Sequence, residues 1–420
     1  MVTTVVVGFL LLGGLFGSLE MNRAARIEQT VRASQLTKLT EAANPDRIAA
    51  ASAPLRNALP QRWDDAEAHQ HLAQLFLLEY QARTYQNLLE QRRAAERQKA
   101  EQTAETSADQ NADADAATTA NGGEMETATS ASAESEPEPE PRDDELWSRS
   151  SLFHLHATID QLDERQETDR VAALRAGTMV DEYLRPAARH LLMARASAPT
   201  MPQVHYLLAE LSAVIPELDD ERVHLDRAQQ LSPGNATLWY WSGMLHLAAG
   251  RADDACATFR RSLELSPLHV DDIMTAAQGK LTVRQILEQT LPPQADMLLH
   301  VARKFFSGDE RTRYRMVFLQ RAEDALDRTD LPPDELAYTT ATILNLSGRG
   351  REAMTFYEDA ISRRSNETRW RYEYALMLVE LEEYDKAYEH SYALFQLDKN
   401  NGTYKRLHAN VISKRVRESK

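Results

Sequence analysis

Residues 236–269 read ATLWYWSGMLHLAAGRADDACATFRRSLELSPLH, and this 34-residue stretch decides the fold. With Ala236 as position 1, Trp239 falls at 4, Gly243 at 8, Ala255 at 20, Phe259 at 24 and Pro267 at 32. Apolar residues recur at three- and four-residue spacing on both sides of Gly250, which predicts two amphipathic helices. Small residues at 8 and 20 let those helices cross closely, because a longer side chain would hold them apart. The aromatic at 24 fills the space between them, and the proline ends the second helix.

The pattern repeats in both directions. One step back, Leu208, Ala209, Ala228 and Pro233 occupy positions 7, 8, 27 and 32, and a half copy before that supplies Ala187, Leu191 and Ala194 at 20, 24 and 27. Downstream, a copy starting at Asp334 places Ala341, Leu344, Gly348, Ala353, Tyr357 and Ala360 at 8, 11, 15, 20, 24 and 27. The next begins at Thr368, with Tyr374, Ala375, Leu378, Tyr384 and Ala387 at 7, 8, 11, 17 and 20. Between the blocks, residues 270–333 are degenerate, with Ala302 and Phe305 at 8 and 11, Pro292-Pro293 marking a boundary, and a short helical insert ahead of them. Leu72, Ala73 and Phe76 match positions 7, 8 and 11 of a first helix.

This pattern resembles the tetratricopeptide repeat (TPR), from which the copy at Ala236 departs at Ser242, His246 and Ser262. The resemblance implies an all-α, TPR-like α-solenoid. One helical pair cannot bury its own apolar face, whereas stacked pairs can. It also implies that positions 2, 5, 9 and 12 of the first helices line a groove. Position 5 is Tyr206, Tyr240, Tyr338 and Tyr372 in the four good copies, flanked by Gln203, Glu210, Glu335, Asn345 and Arg369. Such a ladder suits other proteins, presented as extended peptides, or a glycan; packing aromatics at position 5 are the alternative. The sequence displays no cluster of Lys and Arg there, so the groove does not look like the carboxylate clamp of some family members.

Composition sets the limits. The chain is 43% hydrophobic with only 15 glycines in 420 residues, which favours helices, and its single cysteine excludes an internal disulfide. The net charge of −16 is concentrated: residues 101–145 carry 14 acids and one base, which leaves the remainder at −3. No basic run interleaved with aromatics is present, so nucleic acid is not an expected partner. The acidic stretch has too few apolar groups to offset the entropy of ordering, and residues 100–145 are expected to be a disordered linker.

Residues 2–19 carry no charge and, as a helix of roughly 27 Å, would just span a thin hydrocarbon core. No basic residue precedes them and Arg23 disrupts a cleavage site, so they are expected to form an uncleaved anchor in the bacterial cell membrane. The expected organisation is a transmembrane helix over 1–20, a helical stem and first hairpin over 21–99, the linker, repeats over 146–269, the divergent stretch 270–333, two repeats over 334–401, and a basic helix or tail over 402–420. Arg23, Arg26, Arg32 and Lys38 follow the apolar segment, which by the positive-inside rule puts the repeats in the cytoplasm.

No catalytic, cofactor-binding or metal-binding motif is expected. Gly348-Arg-Gly350 lacks the Lys-Ser/Thr of a phosphate loop and sits at a repeat turn. His154 and His156 are alternate residues that point to different sides of a helix, and no third ligand is evident. Cys256, at position 21, reads as a packing residue, and the sequons at Asn235, Asn345, Asn366 and Asn401 read as turns and caps. The expected function is a membrane-anchored, non-catalytic scaffold. A second resemblance, carried by the layout of apolar helix, Arg/Ala-rich stem, the 60–76 run and Leu291-Pro292-Pro293, is to the C-terminal region of bacterial O-antigen polymerase or ligase-like proteins. It implies an accessory part of an envelope polysaccharide system, with the repeats outside the cytoplasm.

Overall fold

The computed structural model describes residues 44–59, 64–117, 151–307 and 312–418, with only the backbone of 58, 101–117 and 418. All regular structure among them is helical. The expected membrane anchor at 2–19 and most of the stem lie outside the described residues; no described helix is long and apolar enough to cross a membrane. Two compact units result, one built from Met1–Pro233 with Ala248–Gly250, the other from Gly234–Leu247 with Arg251–Lys420.

In the amino-terminal unit, α1 (Pro45–Ala58) is capped by the Asn44 side chain and packs on α2 (Ala66–Ala117). The sequence reading splits 66–99 into a hairpin, with Leu88-Leu89 on a second helix. The structure corrects this: α2 is one 52-residue helix, and its hairpin partner is α1. The physical reason is the absence of Gly and Pro from 66–117 and the abundance of Ala, Glu, Gln, Arg and Leu, all strong helix formers. The same composition carries helical backbone through 101–117, into the stretch expected to be disordered; 118–145 lie outside the described residues.

Five further helices complete this unit: α3 (Leu152–Glu164), α4 (Thr168–Arg175), α5 (Arg185–Ser197), α6 (Pro202–Ser212) and α7 (Glu221–Leu231). A π-helical turn, Val180–Leu184, leads into α5, which packs on α2. Ala187, Leu191 and Ala194 of α5, Leu208 and Ala209 of α6, and Ala228 of α7 are fully buried, as their repeat positions require.

The carboxy-terminal unit starts with the pair α8 (Ala236–Ala248) and α9 (Ala252–Leu265). Asn235 caps α8 through its Leu238 amide. Gly243 meets Phe259 so closely that a Cβ added there would run into the ring. Next come α10 (Val270–Ala277) and a Thr282–Gln285 capping box opening a short turn that ends in the π segment Ile286–Thr290. The hairpin α11 (Ala295–Phe305) and α12 (Thr312–Ala325) follows, then α13 (Pro333–Leu346) with α14 (Gly350–Arg363), and α15 (Thr368–Glu380) with α16 (Tyr384–Leu397). Helix α17 (Gly402–Glu418) packs on α16. Gly348 turns the chain between α13 and α14 with φ +80°, a conformation that favours glycine. Ala341, Ala353, Tyr357, Ala360, Tyr374, Ala375, Leu378 and Ala387 are all fully buried.

Candidate functional site

Helices α11, α13 and α15 are the first helices of three successive pairs, and together they line a cavity of about 290 Å³. With Ala295 as position 1 of its copy, Asp296, Leu299, His300 and Arg303 stand at 2, 5, 6 and 9; Tyr338 and Thr339 stand at 5 and 6 of theirs, and Arg369 at 2 of its own. Lys304 completes the lining. One repeat register therefore supplies nearly every wall residue.

The Glu373 carboxylate, not itself a wall residue, ties three of these side chains together. Arg303 donates to both of its oxygens, at 2.9 and 3.4 Å, the Tyr338 hydroxyl donates at 2.7 Å, and Arg369 donates at 3.2 Å. Burial opposes the Glu373 charge, but these donors outweigh it and hold its pKa below the ordinary carboxylate value. Burial likewise works against the Arg303 guanidinium, and Glu373 more than compensates, so its pKa rises. The Tyr338 phenol is pushed up, by burial first and then by the neighbouring Glu373 charge. Its ring stacks on Trp370 at 4.8 Å with the planes 13° apart. Asp271 accepts from two other wall residues, Lys304 at 2.6 Å and His300 at 2.7 Å, and these bonds lower its pKa.

The sequence reading finds no Lys/Arg cluster in the groove. The structure corrects that: Arg303, Lys304 and Arg369 line one cavity, each bonded to a carboxylate of the chain's own. Arg303 and Lys304 were missed because they lie in the degenerate stretch. Their signal is present nonetheless, since Ala302 and Phe305 at positions 8 and 11 put Arg303 at groove position 9.

The other candidate residues are not gathered with them. Tyr240 is only 7% exposed, and its ring stacks on His269 at 4.4 Å; burial pushes its phenol up to about 12. Tyr372 is half-buried, 6.2 Å from the Tyr404 ring. Glu335 pairs with Arg364 at 3.1 Å, and Asn345 lies in the last turn of α13. Tyr206, Gln203 and Glu210 belong to the amino-terminal unit. There Tyr206 packs half-buried against the core, Gln203 accepts from Gln70, and burial pushes Glu210 up to about 7, opposed by the His156 charge.

His156 is buried, with its Nε2 3.0 Å from a Glu221 carboxylate oxygen and 3.3 Å from one of Asp160, while His154 is exposed. Among the described residues no group of three or more His, Cys, Asp or Glu could hold a metal ion. Cys256 is buried, and burial raises its thiol pKa, the opposite of what a nucleophile needs.

No known family profile and no curated protein matches the chain. Among solved structures it is similar to yeast Tom70, at 14% identity over 95% of this chain and 97% of that one, with a TM-score of 0.27. It is also similar to YrrB, described as a TPR protein with an unusual peptide-binding site, at 16% identity over 53% and 98% and a TM-score of 0.27. A third is the TPR domain of P58(IPK), at 13% identity over 94% and 99% and a TM-score of 0.26. Superpositions this loose add nothing to the repeat register read from the chain itself.

Proposed function

We propose that the chain is a non-catalytic, tetratricopeptide-type scaffold whose α11–α13–α15 groove holds an extended segment of a partner protein. What carries this reading is the convergence of positions 2, 5, 6 and 9 from three consecutive first helices on one cavity. The groove offers donors in Arg303, Lys304, Arg369 and the Tyr338 hydroxyl, and acceptors in Asp296 and Thr339. A peptide backbone presents both kinds of group along its length. The cations are already neutralised by Asp271 and Glu373, so the groove suits a mixed polar segment better than a strongly acidic one. A cavity of about 290 Å³ admits a side chain or two at a time, with the rest of the segment running past it.

The proposal includes anchoring at the bacterial cell membrane by residues 2–19, supported by their uncharged apolar length. A photo-crosslinking amino acid at Leu299 tests the groove. It should trap one discrete peptide segment of a partner protein, while the same group at exposed Phe356 should not. Equal trapping at both positions would refute a dedicated groove. Carbonate washing tests the anchor: full-length chain stays with the membrane pellet, and deletion of 1–20 releases it.

A further inference from the structure

Two polar side chains in the wall of the cavity have no partner among the described residues, and both are placed there by the repeat register. Asp296, at position 2 of α11, is exposed and makes no hydrogen bond or ion pair. An acid in the first turn of a helix offsets the helix dipole, which accounts for the residue type. It does not account for a carboxylate standing alone. The position 2 acid of α13, Glu335, is paired with Arg364, and the position 2 residue of α15, Arg369, is bonded to Glu373. The second open side chain is Thr339, at position 6 of α13 and only 5% exposed. Thr340 and Thr342 on the same helix donate to the Leu336 and Tyr338 carbonyls, both at 2.8 Å. The Thr339 hydroxyl makes no such bond, so a nearly buried polar group is left open at the cavity wall.

The other polar wall residues are occupied. Glu373 holds Arg303, Arg369 and the Tyr338 hydroxyl, and Asp271 holds Lys304 and His300. A ligand carboxylate would have to compete for those cations with two carboxylates of the chain. Taking Arg303 away would leave the Glu373 side chain, 18% exposed, short of its two-toothed donor. A ligand cation meets no such competition, and Asp271, Glu373 and Asp296 balance Arg303, Lys304 and Arg369, so no net positive charge stands against it. We infer, on the basis of the groove proposed above, that the cavity seats a lysine or arginine side chain of the partner segment. Its charged end pairs with the Asp296 carboxylate, the Thr339 hydroxyl oxygen is a second acceptor, and Leu299 meets its aliphatic stem.

The full chain, carrying a photoreactive leucine analogue in place of Leu299, is irradiated with libraries of acetylated, amidated dodecapeptides. These are random except for a central Lys, Arg, Glu or norleucine, and adducts are counted by mass spectrometry. The Lys and Arg libraries should each give about fivefold more adduct than the Glu library, roughly 1 kcal/mol of selectivity. Asp296→Asn should bring that ratio to within about twofold, and Asp296→Lys should invert it, because a like charge then faces the ligand cation. Thr339→Val, close to threonine in shape, should lower capture of the Lys and Arg libraries and spare that of the norleucine library. Glu380→Gln, which removes an exposed charge outside the cavity wall, should keep the parent ratio. Circular dichroism melts verify that each variant is folded. Equal capture of the Lys and Glu libraries by the parent, or an unchanged ratio in both Asp296 variants, overturns this inference and leaves the groove standing. Adducts with none of the libraries would remove the groove itself, and this inference with it.

Discussion

The two units of the chain are built from the same helical pairs but fill their interiors differently. In the carboxy-terminal unit the register keeps small residues at 8 and 20, with an aromatic at 24 in the copies at Ala236 and Asp334, and the core becomes a run of stacked rings. Tyr357 lies 5.3 Å from Tyr374, and Tyr338 4.8 Å from Trp370. The amino-terminal unit departs from the register with its 52-residue helix and a π-helical turn, and histidines enter its interior. The His69 and His190 Nδ1 atoms lie 2.9 Å apart, His205 is 5.9 Å from His224, and His156 lies between carboxylates. Strict register yields a core of fixed volume and leaves the first-helix face clear for a groove. Titratable groups enter both interiors: His246 and His408 are buried in the carboxy-terminal unit, and burial lowers His390 there to about 4, whereas in the amino-terminal unit histidines meet one another and a pair of carboxylates.

The largest expected effect lies in the aromatic core. Tyr357 is fully buried, so Tyr357→Ala should cost about 3–5 kcal/mol in chemical denaturation; a loss under about 1 kcal/mol would mean that the stacked rings do not hold the unit together. Gly243→Leu comes next, at about 1–3 kcal/mol or more from overpacking against Phe259. The sequence alone suggests that Ala would be mild at this position. The contact with the ring means that even Gly243→Ala must displace Phe259, so it should also destabilise measurably.

Arg303→Ala should cost about 1–3 kcal/mol, because Glu373 would lose its two-toothed partner while half-buried. The pH at which the variant loses stability should also move upward. Glu373 has a folded pKa below its unfolded one, so it contributes stability above the unfolded value and loses it as pH falls through the folded value. An unchanged acid limb in Arg303→Ala would remove Glu373 from that account.

The histidine interior makes an opposite pair of predictions. Burial first, then neighbouring positive charge, lowers His190 and His224 to about 4, so the unfolded chain binds protons there that the folded chain refuses. Their contribution is complete above the unfolded value of about 6.5 and is lost as pH falls toward 4. Burial opposes the His156 charge, but bonds to Asp160 and Glu221 carry its pKa to about 9. Its contribution is complete below about 6.5 and is lost as pH rises through 9. Proton NMR titration should find His156 still protonated at pH 8 while His190 and His224 are neutral at pH 5.5, conditions set about a unit inside those limits. Titration of all three near the ordinary histidine value of about 6.5 would remove these opposed contributions from the account. Arg369→Ala should have the smallest effect on folding, at most about 1 kcal/mol, because this side chain is exposed.

How much of this was legible follows from the same contrast. The helix pairs at Ala236, Asp334 and Thr368 could be read residue by residue, because close helix crossings exclude all but small side chains at a few fixed positions. The continuous α2 could not, since the apolar clusters at 72–76 and 88–89 look alike whether one helix or two carries them. The basic half of the groove was hidden because Arg303 and Lys304 follow a boundary where the phase had to be set by Ala302 and Phe305 alone. The position 5 tyrosines share a register but not an environment: Tyr338 faces the cavity, while Tyr240 is packed against His269, and spacing cannot distinguish those fates.

That pair of tyrosines supplies the most direct test of the groove. Affinity for the partner segment trapped from Leu299 is measured for Tyr338→Ala and Tyr240→Ala, with the thermal midpoint of each variant. Tyr338→Ala should lower affinity per folded molecule by about tenfold or more, roughly 1.4 kcal/mol, whereas Tyr240→Ala should lower the midpoint and leave that affinity intact. Undiminished affinity of folded Tyr338→Ala would contradict the groove as the binding surface.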